Sequence, residues 1–260
     1  MLIIPGNRIL AIDGVEVTGR SLDEVIDLLR GDTGSVAEIR VETATRESKV
    51  VMLRRAIVLH DAPQVALAGG VILLTLDAFY SDTPAQIVEA LGRLKLDDAT
   101  GCIIDLRHNG GGILLGAIDA ADLFIETGVI LSEQGRDLRD RETFRARGGD
   151  LLKGLPIVMI VDRETGSGAE IFAAALRHNR AARLVGEHSA GRGTISTVAP
   201  LSARAALKIE TARIFLANGQ PLEPTGLVPD VMLGTAALSG EKAIAVATAL
   251  LAESRAQPPH

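Results

Sequence analysis

Two glycine-rich stretches of this chain pair a chemical group with a sharp turn. The first is Thr165-Gly166-Ser167-Gly168-Ala169-Glu170, set between the apolar run Pro156–Val161 and an alanine-rich segment. A hydroxyl on a strand-to-helix turn, with small residues on both sides, can stand clear of the backbone and act as a nucleophile. The same residues fit a second role, because Ser167 and Glu170 have capping-box spacing and the serine would then only close a helix start. The second stretch, Asp105-Leu106-Arg107-His108-Asn109-Gly110-Gly111-Gly112, also leads from an apolar run into a helical pattern. Successive glycines let backbone N–H groups converge on an anion, either a phosphate or a developing oxyanion. They equally suit a tight turn that needs positive φ. The lysine of a P-loop is missing, and no dinucleotide fingerprint surrounds the glycines. Taken together, the two stretches could supply a nucleophile and an oxyanion pocket, two of the three parts of acyl transfer. The third part is a base, for which His108, His178, His188, Lys153 and Lys208 are candidates, though packing or surface exposure explains an isolated histidine equally simply.

The surrounding pattern predicts the elements that hold these turns. Residues 1–58 read as a small unit. Ile9–Ile12 is a strand closed by the Asp13-Gly14 turn, and Ser21 with Glu24 is a capping box opening a helix with Val25, Leu28 and Leu29 on one face. Val36–Val41 and Val50–Leu53 follow as strands, and the core is thin for the length. Residues 60–64 form a linker. Beyond it strands at 71–76, 102–106, 156–161 and 184–186 alternate with helices at 83–86 onward, 114–125 and 169–176, which predicts an α/β fold on a largely parallel sheet. Thr83 is the expected cap of its helix, with Pro84 at the first position. Residues 206–215 alternate and predict a β-ribbon. A last helix runs from about 241 to 253, and 257–260 is a frayed tail.

Composition narrows the classes. A net charge of -6 with no basic cluster argues against nucleic acid as the main partner, and aromatics at 2% predict an aliphatic core. Cys102, the single cysteine, excludes an internal disulfide and a cysteine-ligated zinc site, and its apolar setting predicts an inert buried thiol. No apolar run reaches the roughly 18 residues of a membrane span. The opening residues lack the pattern of a signal peptide, so the chain as written is expected in the cytoplasm.

Several co-linear motifs resemble the carboxyl-terminal processing (tail-specific) peptidases. They are Asp105-Leu106-Arg107 with Asn109, Gly111 and Gly112; the run Gly166–Leu176; Gly186-Glu187 followed by Gly191-Arg192-Gly193-Thr194; residues 207–213; and Thr225–Asp230. Residues 5–31 resemble the second half of that family's PDZ domain. The resemblance implies a crotonase-like, ClpP-like α/β protease core with a mixed, largely parallel sheet. The expected domains are a partial PDZ domain at 1–59, the core at 60–238, and a C-terminal helix and tail at 239–260. It implies serine endopeptidase chemistry on polypeptides near their C-termini, with no metal or organic cofactor. Ser167 matches the nucleophile, and the N–H groups of Gly168 and of Gly111 or Gly112 match the oxyanion hole. An upstream gene start would imply a periplasmic protein.

The departures fall at the base. The family's lysine stands 25 residues after the serine, where this chain has Arg192. Desolvation can bring a lysine toward neutrality, whereas arginine, with a pKa above about 12, keeps its proton. Ser196 replaces a frequent glutamine, His178 an acidic residue, and Gly110 the usual proline; the PDZ groove is expected to be incomplete. Three readings follow: a peptidase weakened by Arg192, with His178 or His188 as a possible substitute base; an inactive pseudopeptidase that binds peptide C-termini or a partner; and, least favoured, a crotonase-type acyl-CoA enzyme.

Overall fold

The computed structural model describes residues 3, 6–43, 45–56, 62–137, 139–202, 205–222, 224–238 and 240–256. The expected tail at 257–260 and the start of the expected linker lie outside them. By contacts the chain forms two units, Met1–His60 with Thr197–Ile209, and Asp61–Ser196 with Glu210–His260.

In the smaller unit, β1 (Arg8–Ile12) and β2 (Val15–Glu16) form a hairpin, α1 (Leu22–Leu29) follows, and β3 (Val36–Glu42) pairs antiparallel with β4 (Ser48–Arg54). The sheet order is β2-β1-β3-β4. Asp13 and Gly14 take φ of 48° and 78°, the positive pair that a two-residue hairpin loop requires. Ser21 caps α1 as expected, since its N–H donates to Glu24 Oε2 at 2.7 Å and its Oγ accepts the Glu24 N–H at 3.3 Å. The core is thin: Ala37, Ile39, Val41 and Val51 form its buried cluster among the described residues. Beside it lies a cavity of ≈ 650 Å³ lined by Ile26, Leu29, Ala37, Ile39 and Leu53 together with Arg30, Arg54 and Arg55.

The larger unit begins with β5 (Gln64–Ala68), β6 (Val71–Thr75), α2 (Thr83–Gly92), β7 (Gly101–Asp105) and α3 (Leu114–Asp122). It continues with β8 (Val129–Gly135), β9 (Arg141–Arg145), β10 (Ile157–Val161), α4 (Gly168–Arg180) and β11 (Arg183–Gly186). The strands β12 (Thr194–Ser202) and β13 (Ala205–Leu216), of which Thr197–Ile209 group with the smaller unit, are followed by β14 (Val231–Met232), α5 (Thr235–Leu238) and α6 (Glu241–Ala256). The main sheet has the order β14-β11-β10-β7-β6-β5; its pairs are parallel except β5–β6. It is therefore mixed and largely parallel, as the sequence predicts.

Both faces of this sheet are covered, which is why β7 and β10 are buried at every position. Cys102, Ile104, Met159 and Val161 face one apolar cluster with α3 and α4. Ile103, Val158, Ile160 and Val185 face another, built with Ala243, Ala247 and Leu250 of α6. Each such aliphatic side chain contributes roughly 1.5–3 kcal/mol on burial. The expectation of a purely aliphatic core needs correction. Phe79, Phe124 and Phe172 are fully buried, with ring centroids 5.3 Å apart for Phe79–Phe172 and 5.9 Å for Phe124–Phe172. Phe172 of α4 thus packs against Phe79 and Phe124 within the aliphatic cluster, although the chain is poor in aromatics.

The predicted strands at 71–76, 102–106, 156–161 and 184–186 are present within a residue or so. Thr83 is not the cap of α2: it lies inside the helix, and its hydroxyl accepts the Tyr80 N–H at 2.8 Å. Strands β8, β9 and β12 have no counterpart in the sequence reading. In β9 the residues Arg141-Glu142-Thr143-Phe144-Arg145 are mostly exposed, so no apolar period marks them.

Candidate active site

Parallel pairing of β7, β10 and β11 brings their carboxyl ends to one edge of the sheet. Three loops therefore emerge side by side: 106–112 after β7, 162–167 after β10 and 187–192 after β11. This edge is where open α/β sheets place their ligand sites.

Ser167 sits at the end of the middle loop, directly before α4. Its φ and ψ are 53° and -117°, a conformation that L residues rarely adopt and that glycine tolerates. Such strain costs on the order of 1–3 kcal/mol and persists only where neighbours enforce it. The enforcement is visible. Thr165, fully buried, donates its hydroxyl to Leu106 O at 2.8 Å, and Gly166 N–H donates to Asn109 O at 2.9 Å. The Ser167 N–H donates to Glu170 Oε2 at 2.8 Å, forming one half of a capping box. The Glu170 N–H donates to the Ser167 carbonyl at 3.0 Å.

The glycine loop presses against this turn. Gly111 and Gly112 have φ of 103° and 135°. A Cβ on Gly111 would stand 2.7 Å from Gly166 O and 2.9 Å from Ser167 Cβ, and one on Gly112 would stand 2.1 Å from Phe79 O. Only glycine allows both approaches. Asn109, fully buried, shapes the loop by donating Nδ2 to Leu76 O at 2.8 Å and accepting the Gly111 N–H on Oδ1 at 2.9 Å. Of the two sequence candidates, Gly111 therefore has its N–H already engaged, while the Gly112 N–H has no acceptor among the described residues. The Gly168 N–H belongs to the first residue of α4, where helix geometry supplies no intrahelical acceptor. It lies 2.8 Å from the Cβ position of Gly111. Ile113 and Leu115 stand exposed immediately after the loop.

Arg192 joins these residues from the third loop. Its Nη1 lies 3.3 Å from the Cβ position of Gly166 and 3.7 Å from that of Gly110. The root of the side chain is held by Glu170, whose fully buried carboxylate accepts four bonds. They come from the N–H groups of Ser167 at 2.8 Å, Gly191 at 2.7 Å and Arg192 at 2.9 Å, and from the Ser189 hydroxyl. Sequence reading saw Glu170 only as a cap partner of Ser167. Ser189, which also accepts the Leu227 N–H at 2.7 Å, carried no signal there.

The remaining candidates go elsewhere. His178 is exposed in the last turn of α4. Eleven residues at 1.5 Å per residue place it about 16 Å along the axis from Ser167, so it cannot serve that hydroxyl as a base. The His188 ring is exposed, with Nδ1 3.3 Å from Thr225 O. His108 Nδ1 lies 3.2 Å from Glu164 and 3.3 Å from Asp162. Lys153 lies in the turn before β10 at φ 49°; the side chains of Ser196 and Lys208 lie outside the described residues. Among the other loop groups, the Asp105 carboxylate raises the pKa of Arg107, and Thr235 with Arg163 lowers that of Glu187. Among the described residues, no three His, Cys, Asp or Glu side chains are grouped to hold a metal ion. No helix among them is long and apolar enough to cross a membrane.

Residues 70–233 match peptidase family S41, and residues 3–43 match a PDZ domain. The chain belongs to peptidase family S41. It is 30% identical over 236 residues to a carboxy-terminal-processing protease of Bartonella bacilliformis, covering 89% of this chain and 54% of that protein. It is 31% identical over 234 residues to the carboxyl-terminal-processing protease of Synechocystis, covering 87% and 54%. The chain thus spans about half the length of these relatives. The solved photosystem II D1 C-terminal processing protease matches with a TM-score of 0.59 and 28% identity, over 88% of this chain and 63% of that one. Mature CPAF shares the fold at a TM-score of 0.54 and 11% identity, over 98% and 77%. Both glycine turns and Arg192 lie inside the S41 match.

Proposed function

We propose that this S41 chain carries the site of a serine endopeptidase that cleaves polypeptides near their C-termini, with turnover weakened by arginine at the base position. The observation that carries the reading is the strained Ser167 turn packed against the glycine loop at Gly111, next to a Gly112 N–H that has no acceptor among the described residues. In acyl transfer, Ser167 Oγ would attack a peptide carbonyl, whose oxygen takes up negative charge between the N–H groups of Gly112 and Gly168. The serine proton must pass to a base and then to the leaving amine; water completes the cycle by hydrolysing the ester. Arg192 is permanently charged and cannot accept that proton. Loss of a general base costs roughly 10²–10⁴ in rate, and loss of one member of a coupled pair can cost more.

A second reading has its own support. The Arg192 guanidinium has no carboxylate partner among the described residues, as expected of a pseudopeptidase that binds peptide C-termini or a partner protein. A fluorophosphonate probe separates the two. Stoichiometric labelling that disappears in Ser167→Ala supports the weakened peptidase; absence of labelling in folded protein supports the binding protein.

A further inference from the structure

Two of the departures from the family pattern, Arg192 and Gly110, lie close together. Arg192 Nη1 lies 3.7 Å from the position a Cβ would take on Gly110. Gly110 and Gly166 flank the seam between the glycine loop and the serine turn, and the guanidinium lies over that seam. It is exposed, and no acidic side chain pairs with it among the described residues. Nearby arginines are different: Arg163 contacts Glu187 at 3.2 Å, and Arg107 contacts Asp105 at 2.5 Å. The anion closest in the hydrogen-bond network, Glu170, is buried and already accepts four bonds, one of them from the Arg192 backbone N–H at 2.9 Å. The cation is therefore anchored at its root and free at its tip.

We propose that Arg192 turns this seam into a receptor for the α-carboxylate of a peptide. A planar guanidinium matches a carboxylate in a paired, charge-assisted geometry that an ammonium cannot reproduce. A chain ending at the seam places its carboxylate on Arg192 with its preceding residues beside the exposed Ile113 and Leu115. The ligand class is a peptide free acid, whether a protein C-terminus or the acid product of a cut. This inference rests on the reading of the Ser167 turn as a peptide site and adds what the site holds.

The test uses the full chain carrying Ser167→Ala, so that no turnover intervenes. Fluorescent octapeptides with an apolar C-terminal residue are prepared as free acids and as C-terminal amides, and binding is followed by anisotropy at low and high salt. The free acid is expected to bind at least about tenfold more tightly than the amide, in keeping with loss of a charge-assisted contact. Arg192→Met should abolish that preference and Arg192→Lys should retain part of it, with circular dichroism confirming that each variant is folded. Equal binding of acid and amide, no binding of either, or an acid preference that survives Arg192→Met overturns the proposal. Fluorophosphonate labelling of the unsubstituted chain reads the nucleophile separately. Labelling with no acid preference defeats the carboxylate receptor alone, and an Arg192-dependent preference without labelling defeats the peptidase alone.

Discussion

The carboxylate of Glu170 and the backbone of Arg192 are joined by a 2.9 Å hydrogen bond, and the same oxygen accepts the Ser167 N–H at 2.8 Å. One buried side chain thus holds both the turn that presents the Ser167 hydroxyl and the loop that carries Arg192. The side chain at 192 can change while its backbone stays in place, so arginine and lysine would project from the same point.

Removing that link should be costly. Glu170→Ala leaves three backbone N–H groups and one hydroxyl without their acceptor in a buried space, and each unsatisfied buried group costs about 1–3 kcal/mol when nothing replaces the partner. Relaxation and water entry reduce the sum, so a loss of about 3 kcal/mol in urea denaturation is expected. Faster hydrogen exchange at 189–192 should accompany it. Wild-type stability and exchange in Glu170→Ala would mean that the four bonds are incidental.

Arg192→Lys restores a group able to lose its proton. With the loop backbone already held, hydrolysis of a fluorogenic peptide should rise by about 10²-fold, the lower end of a general-base contribution. The gain should vanish in the Ser167→Ala background. An unchanged rate, with the protein folded, would show that the site needs more than a titratable base.

His178→Ala and His188→Ala should each leave the rate of Ser167 labelling within about twofold of the parent chain. The first histidine lies some 16 Å down α4 by helix rise, and the second faces the Thr225 carbonyl. A fall of tenfold or more in either variant would establish that histidine as the working base.

Burial pushes the Cys102 thiol from its ordinary 9.0 up to about 12. The folded state therefore keeps a proton that the unfolded state releases between these values, and stability should fall as pH rises through that window. Iodoacetamide should not modify the folded chain at mildly alkaline pH and should modify one thiol once it is unfolded. Cys102→Ala should flatten part of the alkaline decline. Rapid modification of the native protein would contradict the buried position.

Much of this architecture was legible in one dimension because its causes are local. The Asp13-Gly14 loop, the capping box at Ser21 and Glu24, and the unbroken apolar run of β10 each follow from a few neighbouring residues. The positions of Ser167 and Arg192 could be read from motif spacing in the same way. Strand β9 escaped because its mostly exposed polar residues are positioned by pairing with β8, and the phenylalanine cluster escaped because its members are far apart in the chain. The choice between Gly111 and Gly112 was likewise invisible to spacing. It depends on Asn109, held by Leu76 from 33 residues away, taking up one N–H and leaving the other. The partners of Glu170 and the lack of an acidic partner for the Arg192 guanidinium among the described residues have the same origin, since hydrogen-bond supply and charge pairing are shared among loops that meet only when the parallel strands align.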